Sequence, residues 1–129
     1  MTPSRLNIGL VAHDAMKTTL SSWVSKHQEK LKSHRFYATG TTAKVISKAH
    51  PDLNITALKS GPLGGDQQLG ALICDDKLDV LFFFQDPMTA QPHDVDVKAL
   101  VRMSTLYNIA LACNQATADL IVSSPDFQK

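Results

Sequence analysis

Two cysteines are all that the chain has, Cys74 and Cys113, each in a short apolar run with neither a CxxC partner nor a histidine at zinc-finger spacing. That leaves buried thiols as the expectation. With 129 residues, the chain can bury roughly two-thirds of the surface its unfolded form exposes, so it needs no disulfide or metal to fold. No stretch rich in Pro, Gly or Ser is present to act as a linker, and one domain over residues 1–129 is expected. Long hydrophobic runs are also missing: the longest strongly apolar one, Val80 to Phe84, is far too short to span a bilayer. The opening Met-Thr-Pro-Ser-Arg leads straight into a strand-like segment, without the apolar stretch or cleavage site of a secretory leader, so a cytoplasmic protein is expected.

Charge of one sign is lacking as well, the formal net charge being +1. The only basic concentration, Lys26, Lys30, Lys32 and Arg35, is spread over the end of one helix and the turn after it, where cations suit a helix C-terminus. With no interleaved aromatics these residues read as a solvated face, and no nucleic-acid partner is expected. There is no internal repeat and no low-complexity segment.

What is present is an alternation of strand and helix signals. Asn7 to Ala12 is a short apolar strand, followed beyond His13-Asp14 by a helical stripe at Met16, Leu20, Trp23, Val24, His27 and Leu31. Arg35 to Ala38 reads as a second strand, Thr39-Gly40-Thr41-Thr42 as a turn, and Ala43 to Ala49 as a helix stopped by Pro51. A strand from Leu53 to Leu58, a loop to Gly65, a helix from Asp66 to Asp75 and a strand from Asp79 to Phe84 continue the pattern. After a long polar loop come a helix from Val95 to Thr105, a strand from Ile109 to Cys113 and a short helix beginning near Thr117. Strands that alternate with helices and are apolar almost throughout predict an α/β fold: five parallel strands, doubly wound, with helices on both faces.

Ligands of such sheets bind outside the carboxyl ends of the strands. The segments leaving the strands are rich in glycine, hydroxyls, amides, histidine and carboxylates, whereas those entering them, such as Leu31-Lys32-Ser33-His34, read as generic surface. The Thr39-Gly40-Thr41-Thr42 turn opens a helix whose free N–H groups favour an anion such as phosphate; a plain helix cap is the alternative. It is no Walker loop, since no Lys-Ser or Lys-Thr follows. Ser60-Gly61-Pro62 brings either a second set of backbone donors or only a tight turn. Lys17, one helical turn beyond His13, either aims its ammonium at the same edge or is an ordinary surface lysine. Asp66, after Gly64-Gly65, is either an N-cap or a general base. His93, in the loop from Asp86-Pro87 to Asp96, can polarise a carbonyl or shuttle a proton; with Asp96 and His13 it makes only a poor metal site, and none is expected. Asp94 and Asp96 are also candidates to cap the next helix.

Taken in order, Leu10-Val11-Ala12-His13-Asp14, Tyr37-Ala38-Thr39-Gly40-Thr41-Thr42, Ser60 to Gln68, Asp86-Pro87, Pro92 to Leu100 and Asn114 to Asp119 closely resemble the bacterial methylglyoxal synthases, over nearly the whole chain. The resemblance implies an enzyme, a carbon–oxygen lyase that converts dihydroxyacetone phosphate to methylglyoxal and inorganic phosphate without metal or organic cofactor, and that forms homohexamers. By position, Asp66 matches the catalytic base and His93 the residue that polarises the substrate oxygens. His13, Lys17, Thr39, Gly40, Thr41, Thr42, Ser60 and Gly61 match the substrate and phosphate contacts, with Asp14, Asp86 and Asp96 as supporting acids. Inorganic phosphate is then a product and an inhibitor. Two other readings stay open on the residues alone: a regulatory module of the same fold that holds a phosphorylated effector, which has no use for Asp66 with His93, and an isomerase that retains phosphate.

Overall fold

Strand β1 (Asn7–Ala12) and strand β4 (Val80–Phe84) lie side by side at the centre of a five-stranded sheet, and almost every residue in them is buried. The computed structural model describes residues 5–60, 63–88 and 97–127. The remaining strands are β2 (Arg35–Ala38), β3 (Asn54–Ala57) and β5 (Ala110–Ala112), and the order across the sheet is β3-β2-β1-β4-β5. All four pairings are parallel, with Leu10 opposite Ala38 on one side of β1 and opposite Phe82 on the other. The expected five-stranded parallel α/β sheet is therefore the fold observed.

Helices cover both faces because the central strands are apolar on both. Alternate residues Ile8, Leu10, Val80, Phe82 and Phe84 pack with Trp23 and Val24 of α1 (Lys17–Lys26), Ile46 of α3 (Gly40–Ala49) and Val122 of α6 (Gln115–Ser123). Val11, Leu81 and Phe83 face the other way, against Leu69 and Ile73 of α4 (Gly65–Cys74) and Leu100 of α5 (Val97–Leu106). Burying such side chains contributes about 1.5–3 kcal/mol each, which is why the alternation fixes which helix lies on which face. Among the described residues no helix is long and apolar enough to cross a membrane.

Several boundaries differ from the sequence expectation. The stripe from Met16 to Leu31 is broken at His27, which separates α1 from the one-turn α2 (Gln28–Leu31). The imidazole at the break donates from Nε2 to Asp119 Oδ1 of α6 at 2.9 Å, the oxygen that also accepts the Trp23 indole N–H. Helix α3 begins at Gly40 rather than Ala43, and α6 begins at Gln115, where Asn114 Oδ1 accepts from the Thr117 amide at 3.0 Å. The cysteines are a correction: Cys74 is exposed and Cys113 half-buried. Cys74 ends α4 on its outer side with its sulfur 3.3 Å from the Tyr107 hydroxyl, and Cys113 lies just past the end of edge strand β5. The partial burial still pushes the Cys113 thiol pKa up. Lys26, Lys30, Lys32 and Arg35 are exposed, as expected of a solvated face.

At the amino edge His34 is buried, its Nδ1 accepting the Leu6 amide at 3.0 Å and its ring lying 4.6 Å from that of Phe127. Burial disfavours the imidazolium and lowers the pKa below its ordinary value of 6.5; the Phe127 backbone opposes this, with Arg5 and Asp79 as smaller influences. A histidine with a depressed folded pKa contributes its stability in full above 6.5 and loses it as pH falls through the lower folded value. Urea unfolding between about pH 7.5 and 5 is expected to show stability falling with pH, and a shallower fall in His34→Gln. Equal slopes in the two proteins would remove His34 as the cause.

Candidate functional site

Parallel pairing brings the carboxyl ends of all five strands to one edge of the sheet, and the strand order reverses direction between β1 and β4, where crevices of doubly wound sheets open. His13 leaves β1 at that point. Its amide donates to Phe84 O at 3.2 Å, prolonging the β1–β4 pairing by one residue. Its Nδ1 accepts the Asp86 amide at 2.9 Å, and the buried ring stands edge-on to Phe83, with centroids 5.3 Å apart. A nitrogen that accepts from a peptide N–H carries no hydrogen of its own, which leaves the ring hydrogen to Nε2. It can therefore serve as a donor. The Asp86 carboxylate turns back to accept from the Met88 amide at 3.0 Å, which fixes the start of the loop.

Four residues on, Lys17 opens α1 and folds its ammonium back toward the strand end, 3.3 Å from Ala12 O and ion-paired with Asp14. The lysine is mostly buried, whereas Asp14 is exposed, its carboxyl held below the usual range by the Lys17 hydrogen bond and charge. A pair whose acid is exposed contributes little to stability; its effect is to hold a cation at the sheet edge.

One strand over, about 4.8 Å away, β2 runs into the Thr39 turn. Thr39 is the N-cap of α3, but its side chain makes no capping bond; its hydroxyl lies 3.4 Å from that of Thr42, and both residues are buried. Helix geometry leaves the amides of Thr41 and Thr42 without intrahelical acceptors, the arrangement that receives an anion. The Gly40 amide is spent differently, donating to Lys59 O at 3.2 Å.

That bond is one end of a strap. The segment Lys59-Ser60 passes between the starts of α3 and α4, and Ser60 O accepts from Gly65 at 2.9 Å and Leu63 at 3.0 Å. Both neighbouring helices meet it with glycine. A methyl group on Gly40 would lie 3.1 Å from Ser60 N, and one on Gly65 would lie 2.0 Å from Lys59 O and 2.9 Å from Thr39 Cγ2. Asp66 follows immediately in the first turn of α4 and is 8% exposed. Its capping alternative is ruled out, because the N-cap is Gly64, with φ of +104°.

The structure thus gathers Thr39, Gly40, Thr42, Ser60 and Asp66 about the strap, with Thr41 exposed beside them, and His13, Lys17, Asp14 and Asp86 about the β1–β4 switch point. Gly61, His93 and Asp96 lie outside the described residues, as does Asp94. Among the described residues no three His, Cys, Asp or Glu side chains stand close enough to hold a metal ion. Gln68, which carries no signal of its own in the sequence, accepts the Lys59 amide through Oε1 at 2.7 Å.

A family model described as the MGS-like domain matches residues 19–113. A methylglyoxal synthase of Leptospira interrogans is 53% identical over 127 residues, 98% of this chain and 85% of the relative. The chain belongs to the methylglyoxal synthase family. A methylglyoxal synthase of Erwinia tasmaniensis is 54% identical over 123 residues, 95% of this chain and 80% of that one. The crystal structure of the methylglyoxal synthase from Elizabethkingia anophelis superposes with a TM-score of 0.93 at 50% identity, covering 98% of this chain and 83% of the other. Membership of the methylglyoxal synthase family makes this chain an enzyme, with lyase chemistry as its class.

Proposed function

We propose that this enzyme converts dihydroxyacetone phosphate to methylglyoxal and inorganic phosphate through an enediolate, with no metal or organic cofactor. The observation that carries the reading is the Lys59-Ser60 strap, which ties the anion-receiving turn at Thr39–Thr42 to the helix start that bears Asp66. A phosphate gripped by the turn leaves the rest of a three-carbon substrate within reach of that carboxylate.

Asp66 takes a proton from the hydroxymethyl carbon beside the carbonyl, and charge develops on the two oxygens of the enediolate. His93 polarises those oxygens and moves protons among them, and the Nε2–H of His13 is a second donor at the switch point. Lys17, Thr39, Gly40, Thr41, Thr42, Ser60 and Gly61 hold the phosphoryl group and the substrate chain, while Asp14, Asp86 and Asp96 support them. Electrons of the enediolate then expel phosphate with cleavage of its C–O bond, provided that this bond stands out of the enediolate plane. The three-carbon enol left behind takes up a proton on carbon and becomes methylglyoxal. Atoms balance: one triose phosphate gives one methylglyoxal and one phosphate. The protein works as a homohexamer on this reading, and released phosphate rebinds as an inhibitor.

Chelator-treated enzyme incubated with dihydroxyacetone phosphate is expected to release methylglyoxal, trapped as its quinoxaline, and phosphate in equal amounts. Glyceraldehyde phosphate in place of both products would indicate an isomerase. Recovery of unchanged substrate over a range of pH would overturn the reading.

A further inference from the structure

Gln68 has no part in the chemistry above, yet its side chain is what secures the strap. Lys59 is the first residue past the last main-chain bond between β2 and β3, in which Leu58 donates to Ala38 O at 2.7 Å. Beyond that point the chain has no strand to lean on. Gln68 Oε1 takes the Lys59 amide at 2.7 Å, the Lys59 carbonyl accepts from Gly40 at 3.2 Å, and the Ser60 carbonyl accepts from Gly65 at 2.9 Å. Of these ties only the one from Gln68 is made by a side chain, and it is the shortest.

We propose that Gln68 is a positioning residue for phosphate recognition: by holding the Lys59 amide it fixes Ser60 against the start of α3, and so sets the width of the opening into which the phosphoryl group fits. The inference rests on the reading of Thr39–Thr42 and Ser60 as phosphate contacts. A glutamine suits the task because it supplies an acceptor without charge. A carboxylate there would bond the same amide while repelling a dianion nearby. Helix α4 itself remains anchored through Gly65 when the amide of Gln68 is removed, so the base at Asp66 keeps its place and the effect falls on binding.

Gln68→Met keeps the length of the side chain and loses the acceptor. It is expected to raise KM for dihydroxyacetone phosphate and the Kd for inorganic phosphate together, by about threefold to tenfold, the worth of one such hydrogen bond. Turnover at saturation should stay within about twofold. Hydrogen exchange at the Lys59 amide should quicken in Gln68→Met, return to the native rate in Gln68→Glu, and stay native in Gln67→Met on the exposed neighbour. Unchanged KM, phosphate affinity and Lys59 exchange in Gln68→Met would overturn the inference, as would a fall in turnover with KM intact. A native protein that makes no methylglyoxal would overturn the reading of the reaction instead, and phosphate titration of the variants would then decide the role of Gln68 by itself.

Discussion

Asp66→Asn is expected to lower turnover by roughly 10²- to 10⁴-fold while leaving the affinity for inorganic phosphate within about threefold of the native value. Asparagine matches aspartate in shape and can still bond within the first turn of α4, but it cannot accept a proton from carbon. The stability change should be small. An acid in the first turn of a helix is favoured by about 0.3–1 kcal/mol through the helix dipole, which asparagine forfeits. A kinetic loss of 10²-fold or more corresponds to about 2.7 kcal/mol or more, beyond what so slight a stability change can produce. Steady-state kinetics alongside phosphate calorimetry separates the cases. Turnover close to native would remove Asp66 as the base, and a loss of phosphate affinity with turnover intact would make it a structural residue of α4.

The second large effect is expected at Gly65. Alanine is normally favoured over glycine in a helix by about 0.5–1 kcal/mol, so Gly65→Ala would stabilise α4 if propensity decided. It does not decide here, because the added methyl would meet the Lys59 carbonyl oxygen at 2.0 Å, and that oxygen belongs to backbone held in place by Gly40. Relieving the overlap means parting α4 from the strap, at a cost of about 1–3 kcal/mol. That parting carries Asp66 away from the Thr39 turn, and a displacement of about 1 Å is enough for a 10²-fold loss in rate. Gly70 in the same helix has nothing within 4 Å of an added methyl, so Gly70→Ala should gain stability and keep full activity. Thermal melts and initial rates of the pair test this directly. Equal behaviour of the two variants would mean that the strap does not set the geometry of the site.

Much of this was legible in the residues. Val80 to Phe84 could hardly be anything but a central strand, and the change of period from strand to helix located the other strands and the helices to within a few residues, apart from the break at His27 that divides one expected stripe into α1 and α2. What escaped was tertiary. Gly-Thr-Thr reads as a breaker, so α3 was expected to start at Ala43; its first turn is completed from outside by the Lys59 carbonyl, which no local propensity registers. An apolar neighbourhood made Cys74 look buried, but it closes a helix on the side away from the sheet. The residues of the candidate site could be named because they cluster at strand ends, yet their partners could not. The Asp86 amide reaches His13 across 73 positions, and Gln68 reaches Lys59 across nine, and neither span leaves a periodic mark. The capping alternative at Asp66 is removed by the backbone of Gly64, whose left-handed conformation takes the capping place for itself.

The contact between the loop after β4 and the ring after β1 joins two quantities that are usually treated apart. A main-chain amide can only give a hydrogen, so the imidazole beneath it can only receive one at that corner, and the hydrogen of the ring is left to the far nitrogen. The seat of the loop and the face from which the ring can give a hydrogen are thus set together, and a substitution that moved residue 86 would alter the donor offered at the switch point in the same step.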